Sequence, residues 1–298
     1  MRLKYSVSNW IFGEEELESI CVKLQRFGYD GLELMGEPER YSAQEVRKLC
    51  ADHGLEVLSI AGIYPWPTGE RDLSNPDPGV RRRAVDYLRR CCDLAAELGA
   101  PLVIVVPSAV GKTVPVGNPQ DEKAWEEAVK REWDNAVESL RDAARHAEAT
   151  GVMLAVEPIN RYETFLINTA AQGLQLISEI GSKMVKLHLD SFHMNIEESD
   201  PAGAIRQAKD LLVNFHVADS NRQAVGRGHL DFKGIIAALY EIDYHGALAL
   251  EPLPPVPDPY MAVRFRRYRD LLDTYLEESI AQLKRYEAEV SEVTGGKQ

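Results

Sequence analysis

Short apolar runs alternate with longer amphipathic stretches along the chain. Each short run is bounded by turn residues and is rich in Val, Ile and Leu, which is the pattern of a buried strand. The predicted strands are Leu3–Ser8, Gly31–Met35, Leu55–Ala61, Leu102–Val106, Val152–Glu157, Met184–Asp190, Leu211–Val217 and Ala247–Glu251. The intervening stretches have helical periodicity, and the predicted helices are 14–28, 42–53, 77–98, 121–149, 169–181, 200–209, 231–242 and 259–291.

This alternation predicts an α/β fold with a parallel sheet, and eight strand–helix units are the number that closes a barrel. We therefore predict a single (β/α)8 TIM barrel domain spanning residues 1–298, with residues 259–291 as a C-terminal helical extension. The alternative is an open, doubly wound sheet. That fold favours a GxGxxG phosphate loop after an early strand, and the chain contains no such motif.

The last four predicted strands each bring a metal-competent side chain to the carboxyl end of the strand or close to it. These residues are Glu157, Asp190, His216 and Glu251. In a TIM barrel the carboxyl ends of the strands form the rim that carries the active site. The alternation of side chains along a strand places Glu157 and Glu251 toward the barrel interior, together with mostly small residues. We therefore expect the four side chains to meet above the barrel core.

Three carboxylates meeting without a cation repel one another, and each then resists ionisation. A divalent metal removes this conflict. Three oxygen ligands and one nitrogen ligand suit Mn²⁺, Mg²⁺ or Co²⁺, although histidine and carboxylates also bind zinc. A strand-end glutamate or a lone histidine is usually structural; four on successive strands favour a metal site.

Further polar residues follow these four positions closely. Glu163 lies six residues after Glu157, His193 three after Asp190, and Arg222 six after His216. Loop positions above the rim of a barrel are where a polar substrate is held. Glu163, His193 and Arg222 are therefore candidate substrate-binding residues.

Composition and charge narrow the range of functions. The chain has 298 residues, of which 45% are hydrophobic and 27% charged, and a net charge of −13. An acidic chain repels phosphate backbones and anionic membranes, so we expect neither a nucleic-acid partner nor a membrane partner. No apolar run approaches the length of a membrane span, and the N-terminal segment is typical of a strand rather than a signal peptide. The four cysteines lie in predicted helices without metal-binding spacing, which favours reduced thiols and a cytoplasmic protein.

Four segments of the second half resemble the signature segments of the ketose 3-epimerases. They are VEPINRYE, LHLDSFHMNIEE, FHVADSNRQAVGRGHLDF and LEPL. This group includes the D-tagatose, D-psicose (allulose) and L-ribulose 3-epimerases, within the xylose-isomerase-like barrel superfamily. The resemblance is dense from about residue 151 to 253, weaker in the first half, and most specific in HLDSFHMNIEE.

The resemblance implies a metal-dependent ketose 3-epimerase, an isomerase that inverts C3 of a free ketohexose or ketopentose. It implies one divalent metal, with Mn²⁺ first and Co²⁺ or Mg²⁺ as alternatives, held by Glu157, Asp190, His216 and Glu251. It also implies that Glu157 and Glu251 are the acid/base pair on opposite faces of the sugar. Glu163, His193 and Arg222 correspond to residues that hold O1 and O2 of the ketose.

The loops after the third and fourth strands depart from the family pattern, which leaves the preferred sugar open. The first of these loops carries Trp66, and Tyr5 and Trp10 lie near the first strand. We expect these three aromatic residues to form part of the wall of the substrate pocket. The long C-terminal helix is either a packing helix or an oligomer contact, and we expect a homodimer or homotetramer.

Other functions share some of these features. A sugar isomerase, a dehydratase or a 3-keto-glycoside lyase would use the same metal site with different loops. An endonuclease of this superfamily would need several more histidines at the third and fourth strand ends, and the sequences AGIYP and VVPSA offer none. A sugar-binding barrel without turnover would not require both candidate acid/base glutamates.

Overall fold

The eight strands form a closed barrel in which each strand is hydrogen-bonded to its neighbours in chain order. The structure is a computed structural model that describes residues 2–63 and 67–295, without the side chains of the last three. The strands are β1 Lys4–Ser8, β2 Gly31–Met35, β3 Glu56–Ala61, β4 Leu102–Val105, β5 Met153–Val156, β6 Val185–Asp190, β7 Leu212–Val217 and β8 Ala247–Leu250. All the pairings described are parallel, so the predicted TIM barrel is confirmed.

The helices lie between the strands. They are α1 Leu17–Phe27, α2 Ala43–Asp52, α3 Pro78–Leu98, α4 Glu122–Thr150, α5 Ala170–Ile180, α6 Ser191–Glu197, α7 Pro201–Ala208, α8 Phe232–Glu241, α9 Pro259–Ala262 and α10 Arg269–Gly295. Their starts follow capping rules: Thr169 and Gln172 form a reciprocal capping box on α5, and Asp231 caps α8 by accepting from the N–H of Gly234. No helix within residues 2–63 and 67–295 combines the length and the apolar character that a membrane crossing requires.

The chain packs as two compact units. Among the described residues, the first unit comprises 2–34, 47–58 and 189–295, and the second comprises 35–46, 59–63 and 67–188. In the first unit β7 pairs with β8 and β8 with β1, and α7 and α10 pack against α8. In the second unit β3, β4, β5 and the first part of β6 pair in order, and α3 packs against α4.

The end of the chain differs from the sequence prediction. The predicted continuous helix 259–291 is divided into α9, a short 3-10 turn at Arg266–Tyr268, and the long helix α10. Val263 is buried, and its carbonyl oxygen lies so close to Gly13 that a Cβ there would be 2.5 Å away. The chain bends to pack on the segment after β1 before the helix resumes. The long C-terminal helix is therefore confirmed, but its start is ten residues later than predicted, at Arg269 instead of residue 259.

Directly after β6 lies a short helix, α6, which the sequence analysis did not predict. Helix α6 begins at Ser191 because Asp190, the last residue of β6, acts as its N-cap. One carboxylate oxygen of Asp190, Oδ1, accepts a hydrogen bond from the N–H of Phe192 at 2.7 Å. This leaves Oδ2 of Asp190 directed toward other groups.

Candidate metal centre and active site

Three of the predicted metal ligands lie together in the first unit. Asp190 ends β6, His216 is the last residue but one of β7, and Glu251 directly follows β8. The strand ladder continues to Glu251, whose N–H donates to the carbonyl oxygen of Val217 at 3.0 Å. All three side chains are buried, with relative exposures of 0%, 4% and 4%. Parallel pairing of these strands therefore delivers two carboxylates and an imidazole to one buried place.

The imidazole of His216 lies between carboxylates on both sides. Its Nδ1 is 3.2 Å from Oε2 of Glu251 and 3.9 Å from Oδ2 of Asp190. Its Nε2 is 2.9 Å from Oε1 of Glu33 in the middle of β2. Ligand atoms of Glu33, His216 and Glu251 all lie within 4.8 Å of one another, which is a spacing that could hold a metal ion.

Arg222 joins the two carboxylates of this group. It donates to Oδ2 of Asp190 and, through its second terminal nitrogen, to Oε2 of Glu251 at 2.6 Å. Burial by itself would lower the pKa of the Arg222 guanidinium, but the two carboxylates outweigh it and raise the pKa. Arg222 also has positive φ, 60°, and its guanidinium lies over the ring of Phe192 at 4.9 Å. The predicted substrate-binding arginine is thus charged and held at the predicted metal ligands.

His193 lies on the short helix α6 and is buried, with 5% exposure. Its Nε2 is 3.7 Å from Oδ2 of Asp190, and its ring meets the ring of Phe192 edge-on. The helix cap formed by Asp190 thus brings the second predicted substrate-binding residue next to the metal-ligand group.

Trp10 contacts the candidate acid/base Glu251 directly. Its indole N–H donates to Oε1 of Glu251 at 2.6 Å, and its ring stacks on that of Tyr260 at 5.9 Å. Trp10 lies in the 3-10 turn that follows β1, and Tyr260 lies on α9 after β8. The sequence analysis named Trp10 as a wall residue but did not name Tyr260.

The structure does not place the other two predicted wall residues, Tyr5 and Trp66, beside Glu251. The Tyr5 hydroxyl donates to Oε2 of Glu287 on α10 at 2.8 Å, and the same carboxylate accepts from Tyr240 on α8. Tyr5 therefore points into the helix layer, and its expected place in the pocket wall is corrected. The reason is strand alternation, since Tyr5 and its neighbour Ser6 face opposite sides of β1. Trp66 lies outside the residues that the structure describes.

Glu157 and Glu163 lie in the second unit. Glu157 directly follows β5, is 5% exposed, and continues the ladder by donating its N–H to the carbonyl oxygen of Val105 at 2.9 Å. Its Oε1 is 3.5 Å from Nε2 of His188, which precedes Asp190 by two residues on β6. Glu163 lies beyond β5, and its Oε1 accepts from the side chain of Asn160 at 2.9 Å.

Two buried residues that contact predicted metal ligands were missed by the sequence analysis. Glu33 and His188 are both 0% exposed. His188 has the same strand parity as Asp190 within KLHLD, and Glu33 is a charge in the middle of the apolar strand GLELM. Both residues lie deeper in their strands than the strand-end positions from which the site was predicted.

The donor set fits a divalent cation. Buried carboxylates that are close to each other require a compensating positive charge, and oxygen with imidazole ligands suits Mn²⁺, Co²⁺ or Mg²⁺. The second nitrogen of His216 is held by a carboxylate, which is the usual arrangement behind a metal-binding histidine. The group is therefore a candidate divalent metal centre.

Comparison with known proteins agrees with this geometry. The family model of the xylose isomerase-like TIM barrel matches residues 21–278. The D-psicose 3-epimerase of Ruminiclostridium cellulolyticum is 37% identical over 247 residues, which cover 80% of this chain and 79% of that protein. The solved structure of an L-ribulose 3-epimerase superposes with a TM-score of 0.82 and 28% identity, covering 99% of this chain and 97% of that one.

A relative with a different printed activity is also similar. The 3-dehydro-D-guloside 4-epimerase of Escherichia coli is 30% identical over 266 residues, which cover 88% of this chain and 97% of that protein. The named relatives are all sugar epimerases, which are isomerases. The chain belongs to the xylose isomerase-like TIM barrel family and, within it, to the ketose 3-epimerases.

Proposed function

We propose that the protein is a metal-dependent ketose 3-epimerase that inverts C3 of a free ketohexose or ketopentose. The observation that carries the proposal is the environment of Glu251. This buried carboxylate follows β8, accepts from Trp10 and Arg222, and lies beside Nδ1 of His216. A carboxylate held in this way beside a metal-competent imidazole can serve as an acid/base group at a sugar carbon.

We assign the metal to Glu157, Asp190, His216 and Glu251. The assignment of Glu157 is supported by the closed barrel, because the carboxyl ends of β5, β6, β7 and β8 belong to one rim. Mn²⁺ suits three carboxylates and one imidazole best, with Co²⁺ or Mg²⁺ as alternatives. When bound, a divalent cation would stabilise negative charge that develops on the ketose oxygens.

The two glutamates account for inversion. One carboxylate, Glu157 or Glu251, removes the proton from C3 and leaves a cis-enediolate. The other, on the opposite face, returns a proton to C3, so the carbon is inverted and the hydroxyl stays in place. In the reverse direction the two residues exchange roles. A single base on one face would favour retention or movement of the carbonyl group instead.

Glu163, His193 and Arg222 orient the ketose in this proposal. Arg222 and His193 can donate hydrogen bonds to O1 and O2, and Glu163 can accept from a hydroxyl. The positions of Arg222 and His193 beside Asp190 support this assignment. Asn160 holds one oxygen of Glu163, which restricts the direction of its carboxylate.

We also propose a cytoplasmic homodimer or homotetramer acting on a small-molecule ketose. All four cysteines are free and buried, which suits a reducing compartment. Analytical ultracentrifugation would test the assembly, and a monomer at micromolar concentration would overturn that part of the proposal.

The decisive experiment is a ketose panel with Mn²⁺-loaded protein in deuterated water. Fructose, psicose, tagatose and ribulose would be incubated and analysed by chromatography and NMR. We expect a C3 epimer that carries deuterium at C3. The absence of exchange with every ketose would overturn the proposal.

The similarity to the 3-dehydro-D-guloside 4-epimerase favours one second candidate, epimerisation next to the keto group of a 3-keto-glycoside. The proton transfer would be the same, but the substrate would be a glycoside. Adding 3-keto-glycosides to the panel separates the two candidates. Deuterium at C4 of a 3-keto-glycoside, without exchange in free ketoses, would establish the second.

A further inference from the structure

Glu33 is a carboxylate in a place where a charge is costly. It lies in the middle of β2, opposite Ser8 of β1, and is 0% exposed. Burying an ionised carboxylate costs several kcal/mol unless close partners compensate it. The contacts of Glu33 therefore show which groups compensate the burial of its carboxylate.

Both carboxylate oxygens of Glu33 contact side chains of β7. Oε1 lies 2.9 Å from Nε2 of His216, and Oε2 accepts from the amide of Asn214 at 3.3 Å. Asn214 and His216 are two residues apart on one strand, so they share a face. The Asn214 contact fixes one oxygen, so that the other stays directed at the imidazole.

A carboxylate held beside one nitrogen of an imidazole fixes the direction of the ring. With Nε2 of His216 at Glu33, the other ring nitrogen, Nδ1, faces the opposite way. Nδ1 lies 3.2 Å from Oε2 of Glu251 and 3.9 Å from Oδ2 of Asp190.

We propose that Glu33 is a positioning residue that holds His216 with Nε2 at its carboxylate and Nδ1 presented toward Asp190 and Glu251. The proposal rests on the metal site proposed above and adds to it the residue that sets the direction of its imidazole. Without the Glu33 carboxylate, the ring loses one of its fixed contacts.

The experiment uses Glu33→Gln. Glutamine keeps nearly the same shape but carries no charge and only one acceptor oxygen, so it weakens the contact that orients the ring. The matched control is Glu132→Gln, the same substitution at another glutamate of 0% exposure, which contacts Lys112 and, among the residues that the structure describes, no histidine. Two readouts are needed: Mn²⁺ affinity by calorimetry, and the absorption spectrum of the Co²⁺ form, which reports the arrangement of ligands around the cation.

We expect Mn²⁺ affinity to fall by about 10- to 100-fold in Glu33→Gln and to stay within about threefold in the control. The absorption spectrum of the Co²⁺ form should change in Glu33→Gln. A wild-type Co²⁺ spectrum together with wild-type Mn²⁺ affinity in Glu33→Gln would overturn the proposal.

Glu33→Asp provides a second test if the glutamine variant does not fold. The shorter carboxylate keeps the charge but withdraws from the ring, so we expect weaker Mn²⁺ binding and an altered Co²⁺ spectrum. Wild-type affinity in Glu33→Asp would count against a positioning role. If the wild type binds neither Mn²⁺ nor Co²⁺, the proposed function fails. If the wild type binds Mn²⁺ and Glu33→Gln binds it equally well, only the role of Glu33 fails.

Discussion

Two cationic side chains in this chain are each held by two buried carboxylates, yet they belong to different kinds of site. In the first unit Arg222 bridges Asp190 and Glu251. In the second unit Lys112 bridges Asp72 and Glu132, at 2.7 and 2.5 Å. The side chains of all four carboxylates are at most 5% exposed. Burial and ion pairing alone therefore do not distinguish the two groups.

The groups differ in what else contacts the carboxylates. The side-chain and backbone donors of Ser74 bond Asp72, and the N–H of Val116 donates to Glu132 at 2.6 Å. These are local contacts that connect loops to α4. The Arg222 group instead has the imidazoles of His193 and His216 beside it, at strand ends. We infer that the Lys112 group stabilises loops and that the Arg222 group is part of the candidate active site.

The Lys112 group also connects two loops of the second unit. Residue 112 forms a parallel bridge with Thr164, and the N–H of Gly111 donates to the carbonyl oxygen of Glu163 at 2.7 Å. The ion pairs of Lys112 therefore hold the loop whose backbone contacts Glu163, a predicted substrate-binding residue. A structural ion pair of this kind acts on function only through position.

The largest expected effect is on turnover. Glu251→Gln and Glu157→Gln should each lower kcat by about 10²- to 10⁴-fold, because each removes one acid/base group while preserving shape. Glu132→Gln, the equivalent change in the Lys112 group, should retain kcat within about threefold. Steady-state epimerisation assays with circular dichroism as a folding control measure this. Wild-type turnover in either catalytic variant would refute the two-carboxylate scheme.

The next effect is on stability. Lys112→Met leaves Asp72 and Glu132 buried without their cation, and breaking a buried ion pair in this way costs about 3–5 kcal/mol of unfolding free energy. Urea unfolding monitored by fluorescence measures the loss. Lys130→Met, which removes an exposed pair with Asp134 four residues on, should cost less than about 0.5 kcal/mol and serves as the control. Equal losses in both variants would contradict the structural role of Lys112.

A smaller effect separates the two cations by their response to metal. Arg222→Met should raise KM for the ketose about tenfold and destabilise metal-free protein. Mn²⁺ at 100 times its dissociation constant stabilises the wild type by about 2.7 kcal/mol. Bound Mn²⁺ should reduce the loss of unfolding free energy that Arg222→Met causes relative to wild type, because the metal supplies the missing positive charge. The loss of unfolding free energy in Lys112→Met should be the same with and without Mn²⁺. An equal response of the two variants to Mn²⁺ would contradict the distinction between the two groups.

The smallest effect concerns burial without ion pairing. Burial in α3 raises the pKa of the Cys91 and Cys92 thiols to about 12, from an ordinary value of 9.0. Below pH 9 both folded and unfolded thiols are protonated, so this contribution to stability is fully present. Between pH 9 and 12 only the unfolded thiols ionise, so stability falls by at most about 1.4 kcal/mol per pH unit for each thiol.

Unfolding free energies at pH 8, 9 and 10 measure this decline. The double variant Cys91→Ala/Cys92→Ala should have a flatter dependence on pH than the wild type. An identical slope in both proteins would show that these thiols do not contribute.

Much of the fold follows from local patterns. The strand β2 was predicted with its observed bounds, because the pattern of a strand depends on residues that are near in sequence. The break before α10 was not predicted. At this break the buried Val263 packs against Gly13, a residue 250 positions away in the sequence.

For the site, the sequence by itself determined which residue types stand at the strand ends and how far apart they are. Regular spacing of strand–helix units made Asp190, His216 and Glu251 candidates, since parallel strands present their ends at one rim. Only the tertiary structure decided that Glu33 holds His216, that Trp10 and Arg222 hold Glu251, and that Tyr5 faces the helices. These contacts join distant parts of the chain. Their geometry depends on barrel closure and strand register, which local spacing does not specify.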